Sequence, residues 1–211
     1  MLPYCGTIIH YLQEMTLPIE GFPLLNAAVS LELHRALAGA ALPMPSGLPN
    51  DSIARAARNM RPPGVLAPDW VLSIVGILGG AVRTLEDEWP DAPLLAADAP
   101  GRFLISLPSG PILASRGRDW FVAIALAHMR LHWPPKSGWG AQARLLYVPR
   151  SLKGDAMVAR NEAMSFAVEM LMPQDEFIAA MSDPDSAAET LGIQVSEGIL
   201  KARARSLGME L

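Results

Sequence analysis

This sequence predicts an α+β fold, mostly helical, with one small hairpin or sheet. Three observations carry that expectation. The chain has 211 residues, 51% of them hydrophobic and 18% charged, enough length and apolar content to bury a core and too little charge for disorder. Apolar residues recur at helical spacing in segments bounded by capping residues, glycine and proline. Only one stretch, residues 102–115, has the alternation and central turn residues of a hairpin.

Residues 1–23 are irregular, punctuated by Pro3, Pro18 and Pro23, and Leu24 to Gly39 then reads as a helix. Leu42 to Asn50, with three prolines and a glycine, reads as a loop. Asn50 or Asp51 is placed to cap a short helix from Ser52 to Met60, because a side-chain oxygen there satisfies free backbone N–H groups. Arg61-Pro62-Pro63-Gly64 ends it. Asp69 is placed to cap a helix from Trp70 to Glu88, which Gly79-Gly80 should weaken. Pro90 to Pro100 reads as a loop and as the boundary between a helical N-terminal region, residues 1–92, and a second unit, residues 93–211.

In that second unit Arg102 to Leu107 and Ile112 to Ser115 read as two strands around Pro108-Ser109-Gly110. Asp119 then caps a helix from Trp120 to about His132, which Trp133-Pro134-Pro135 breaks. Lys136 to Pro149 reads as a loop or a short extended piece. Helices are expected over Asp155 to Met172, Gln174 to Met181, Asp185 to Leu191 and Ser196 to Leu207. Met157, Met164, Met170 and Met172 read as adaptable core filling, and Trp133 and Trp139 as cover for the core around a proline-rich loop.

Charge and cysteine usage narrow the function classes. A net charge of −4 offers no broad basic surface, so direct nucleic-acid binding is not expected. Lys201, Arg203 and Arg205 lie close together on the last helix and read as a solvated face. Cys5 is the only cysteine, which excludes an intramolecular disulfide and suits a reducing compartment. The start lacks the basic residues of a signal peptide, with Glu14 and Glu20 early, and the most apolar run, Trp70 to Val82, is short of the roughly 20 residues that span a bilayer. A cytoplasmic protein without a membrane segment is expected.

Four histidines are present: His10, His34, His128 and His132. The last two lie four apart on one expected helix, which puts both imidazoles on one face, a turn apart, as a metal ion requires. In the zincin motif His-Glu-x-x-His the glutamate activates a zinc-bound water. Here the string is His128-Met129-Arg130-Leu131-His132. Met129 stands where the glutamate would be, and a thioether cannot accept the proton. Arg130, two residues on from His128, falls on the opposite side of the helix. Ordinary helices also carry histidines at this spacing, so spacing alone leaves both readings open.

The run Asn161-Glu162-Ala163-Met164-Ser165-Phe166-Ala167-Val168-Glu169-Met170-Leu171-Met172-Pro173 resembles the second signature of the ImmA/IrrE family of zinc metallopeptidases, Glu-Ala-Asn-x-Phe-Ala-x-Glu-Leu-Leu-Met-Pro. Glu162 lies thirty residues after His132, the family's usual interval. Phe121 to His128 loosely resembles the run before the family's metal helix, and the segments Leu191 to Ser196 and Arg205 to Gly208 resemble its ending. The resemblance spans about residues 100–211, is tightest at Phe166 to Pro173, and departs from the pattern at Met129 and Met164.

The resemblance implies zincin-like helices, with His128, His132 and Glu162 as zinc ligands and Glu169, seven residues and two turns on, as a carboxylate that orients a ligand histidine. Two imidazoles, one carboxylate and a water complete a tetrahedral zinc site. The plain alternatives are a solvated carboxylate for Glu162 and a salt-bridge partner for Glu169. Glu169 and Glu176 are the candidate replacements for the missing base, though nothing in the sequence positions either. Because Met129 removes that base, the expected function is that of a pseudopeptidase. It would bind a helix-turn-helix repressor or other regulatory protein in phage or mobile-element gene control. The alternative is an active zinc endopeptidase that cleaves such a repressor.

Overall fold

The computed structural model describes residues 43–64, 67, 69–84, 94–99, 102–108, 110–132, 144–147 and 153–209. The expected helix at Leu24 to Gly39, His10, His34, Cys5, Trp133 and Trp139 lie outside them. A segment without regular structure, residues 43–49, leads into α1 (Asn50–Met60) and then α2 (Trp70–Ile77). The chain continues through β1 (Gly80–Thr84), β2 (Leu94–Ala99) and β3 (Arg102–Leu107) to α3 (Gly110–Arg116) and α4 (Arg118–Ala127). One wider π-helical turn, His128–His132, prolongs α4. After β4 (Arg144–Tyr147) come α5 (Asp155–Leu171), α6 (Gln174–Ala180), α7 (Ala187–Thr190) and α8 (Glu197–Ser206). The fold is α+β and mostly helical. No helix among the described residues is long and apolar enough to cross a membrane.

The four strands form one mixed sheet in the order β1-β3-β2-β4. β1 runs parallel to β3, with Gly80 opposite Phe103 and Thr84 opposite Leu107. β2 is antiparallel to β3 and to β4, with Leu95 opposite Ile105 on one side and Leu146 on the other. Phe103 through Leu107 are all buried, as a strand covered on both faces must be. α4 is the central helix. Every residue from Asp119 to Ala127 is buried. On α5 the buried positions Ala156, Ala159, Ala163, Phe166, Ala167 and Met170 recur at three- and four-residue spacing, one apolar stripe rich in small side chains.

Four expectations change. The helix expected over Trp70 to Glu88 stops at Ile77, where the Leu78 N–H closes back on the Ile74 carbonyl, and the chain continues as a strand. Gly80 permits this because the ring of Phe103 lies over it: a Cβ there would fall 2.3 Å from the ring carbon Cζ. The hairpin expected over 102–115 is absent. β3 already has β1 and β2 on its two edges, and Pro111, lacking an N–H, suits the first turn of α3 instead. The expected loop at 90–100 contains β2, and the extended piece expected in 136–149 is β4. The sheet also crosses the expected boundary near residue 92, because β1 lies before it and its partner β3 after it.

The expected caps are likewise replaced. Pro49 precedes α1, and neither Asn50 nor Asp51 caps it. Asp69 does stand before α2 but makes no capping bond there; its carboxylate takes Arg118 and, at 3.3 Å, the Gln194 amide. Asp119 lies inside the first turn of α4, fully buried, and accepts Arg118 Nε at 2.9 Å and the Gln194 N–H at 2.7 Å. Burial pushes the Asp119 carboxyl up against these partners. This clasp ties the starts of α2 and α4 to the stretch before α8. Backbone bonds from Asp119 N–H to the Gln194 carbonyl and from Ser196 N–H to the Arg116 carbonyl complete it.

Candidate functional site

The end of α4 and the middle of α5 bring together three of the residues singled out in the sequence. His128 and His132 stand on the π turn with their ring centroids 4.8 Å apart, and His128 Nδ1 is 2.8 Å from His132 Nδ1. His132 Nε2 is 2.8 Å from Glu162 Oε2 on α5. A fourth residue, Ser46 in the segment before α1, donates its backbone N–H to the same carboxylate oxygen at 2.8 Å. Both histidine side chains are buried. A π turn inside an α-helix is a common device at functional sites, since it re-aims side chains without ending the helix.

Chemistry assigns the protons. An ionised carboxylate only accepts, so His132 Nε2 carries the hydrogen and its Nδ1 is bare. That bare nitrogen accepts from His128 Nδ1, which leaves His128 Nε2 as a buried lone pair without a partner among the described residues. Protonating His128 would bury an unmet N–H and a charge. Burial, reinforced by His132, accordingly holds the His128 ring well below the usual histidine range. Burial also lowers His132, against the pull of Glu162. Burial pushes the Glu162 carboxyl up, but the Ser46 amide and the His132 ring outweigh it and leave it below the usual carboxylate range.

A pH dependence follows. Two histidines with depressed values bind fewer protons folded than unfolded, so stability is lost as pH falls below their ordinary value of 6.5. Glu162 adds its own loss only in the acid carboxylate range. We expect the thermal midpoint to be flat above pH 7, to fall below about 6.5, and to fall less steeply in His128→Gln. A midpoint indifferent to pH between 7 and 5 in the unaltered chain would contradict the assignment.

The donor types suit zinc, and here the side chains meet through hydrogen bonds. His132 uses opposite sides of its ring, Nδ1 toward His128 and Nε2 toward Glu162, so the three residues form a line of hydrogen bonds and do not surround one point. Among the described residues no three His, Cys, Asp or Glu side chains are grouped to hold a metal ion.

Glu169 is not beside the histidines. Seven residues along α5 carry it about 10 Å further up the helix axis. There it pairs with Arg58 of α1 at 3.3 Å and Arg203 of α8 at 2.9 Å. Its role as an orienting carboxylate therefore gives way to that of a salt-bridge partner. Glu176 lies on α6, bound to Arg61. Met129 is partly buried and packs against the hydrophobic core, and Arg130 is exposed. Of the basic residues on α8, Arg203 is turned inward and also donates to the Met172 carbonyl at 3.2 Å, while Lys201 pairs with Glu197, so the three do not share a face. Ser46 had no signal in the sequence. Its part depends on a backbone N–H, which any residue but proline carries.

No protein-family model matches this chain, and no curated protein matches it.

Proposed function

We propose that this chain is a pseudopeptidase: a scaffold of ImmA/IrrE type, with zincin-like helices, that binds a regulatory protein without cutting it. One observation carries the reading. The position that supplies the general base in such a peptidase is Met129, packed into the core, and the carboxylates able to replace it are committed elsewhere, Glu169 to Arg58 and Arg203 and Glu176 to Arg61. The meeting of His128, His132 and Glu162 supports the scaffold's ancestry, since thirty residues separate Glu162 from His132. By that resemblance the partner is a helix-turn-helix repressor or a similar regulator in phage or mobile-element gene control, met in the cytoplasm.

The test mixes the purified chain with a candidate repressor encoded beside it. Co-elution of an intact complex, unchanged by chelator, is the expected result. A second reading, an active zinc endopeptidase, is favoured by the bare, buried lone pair of His128 Nε2, the form in which a histidine ligates. Cleavage of the repressor that chelator abolishes and His128→Ala removes would establish that reading instead. Stoichiometric zinc in the purified chain, absent from His132→Ala, would show these side chains converging on one ion.

A further inference from the structure

The segment 43–49 is tied near its middle, at Ser46, to the same oxygen that holds His132. It makes no sheet ladder, Pro43, Pro45 and Pro49 withhold backbone donors, and Gly47, at φ +69°, turns it. Pro43 is buried, whereas Met44 and Leu48 stand 60% and 45% exposed. Ser46 ties the segment down, its N–H on Glu162 Oε2 at 2.8 Å, and its hydroxyl accepts the Leu48 N–H at 3.2 Å and shapes the bend. Immediately after it, α1 is fastened to α5 through Arg58 and Arg61.

We infer that residues 43–49 are a removable strap: an internal peptide seated on Glu162 that a segment of the partner displaces. This rests on the binding function proposed above and states how that binding is regulated. Three features set the strap's behaviour. A segment without ladder bonds opens at little cost. Its anchored neighbour α1 keeps it beside its seat at an effective concentration in the millimolar range. Its tie is a backbone N–H to a carboxylate, which any peptide with a non-proline residue at that point reproduces. The incoming segment is therefore a proline-flanked peptide with a small hydroxyl residue at the tie.

A fluorescent peptide carrying residues 41–50 of this chain serves as the probe, read by polarisation against the full chain. Ser46→Pro removes both the N–H and the hydroxyl from the tethered copy. We expect the peptide to bind that variant about tenfold more tightly than the unaltered chain, because the tethered competitor is weakened. Equal affinity for both, or no binding to the variant, overturns the inference. Amide hydrogen exchange in the unaltered chain gives a reading independent of the variant's folding. The Ser46 amide should show modest protection that saturating peptide removes; protection the peptide leaves unchanged overturns it. Neither measurement uses a repressor, so a strap that behaves as stated beside a repressor that never binds would remove the pseudopeptidase reading alone.

Discussion

Replacing Gly117 with alanine is expected to destabilise the chain by about 3–5 kcal/mol, the largest effect of any single methyl group here. Gly117 sits between α3 and α4 at φ +88°, a conformation that side chains oppose. The added Cβ would fall 2.3 Å from the Gln194 carbonyl oxygen and 2.5 Å from Val195 Cα. Both obstacles are backbone, so neither can swing aside. Moving that backbone breaks the bonds from Asp119 and Ser196 that flank it and strands the buried Asp119 carboxylate without the Gln194 N–H. Thermal unfolding should show a midpoint lowered by on the order of 10 °C. A midpoint within a degree or two of the parent would mean that the clasp between α4 and the approach to α8 is not formed.

Arg61→Ala is the second large effect, at about 3 kcal/mol. The α5 helix ends with carbonyls that lack partners within the helix, at the negative end of its dipole. Arg61 meets two of them, donating to Met170 at 3.0 Å and Leu171 at 3.1 Å, with its guanidinium 5.0 Å from the centre of the Trp70 ring. Its side chain is 6% exposed, and burial lowers its pKa against the pull of Glu176. The Glu176 pair itself is half in solvent and contributes little. A lysine cannot reach two carbonyls and lie flat on an indole together, so Arg61→Lys should recover less than half of the loss. Chemical denaturation of the three proteins checks this. Full rescue by lysine would show that charge alone matters at this position.

The helices of the second half were legible because their signals are local. Asp155 to Met172 and the elements after it carry apolar periodicity with proline or glycine at their ends, and the structure places them within a residue or two. The sheet was not legible. β1 lies in an apolar run that reads equally well as helix, and only Phe103, some twenty residues on, makes a strand of it. β2 is rich in alanine, a poor strand former, and owes its conformation to neighbours on both sides.

The site divides the same way. His128, His132 and Glu162 were legible from spacing and from the resemblance, since helix geometry converts spacing into a shared face. Which nitrogen faces which oxygen was not, because ring orientation depends on packing. Glu169 was misplaced for a related reason: being in phase with Glu162 fixes direction around the helix but not height along it. Arg58, Arg203 and Ser46 lie more than thirty residues from the acids they bind, beyond any periodicity.

The parallel pairing of β1 with β3 and the ties from Ser46 and Arg61 to α5 have a consequence for how the molecule is made. Ser46 and Glu162 are 116 positions apart, and Arg61 and Met170 are 109. Such closures are slow, because a long loop must be ordered before any contact rewards it. During synthesis α1 and β1 leave the ribosome long before α5 exists, with their apolar faces uncovered. The centre at His132 therefore closes only once α5 has been made, 116 positions after Ser46, and chaperone protection of the early half is the natural companion of this topology.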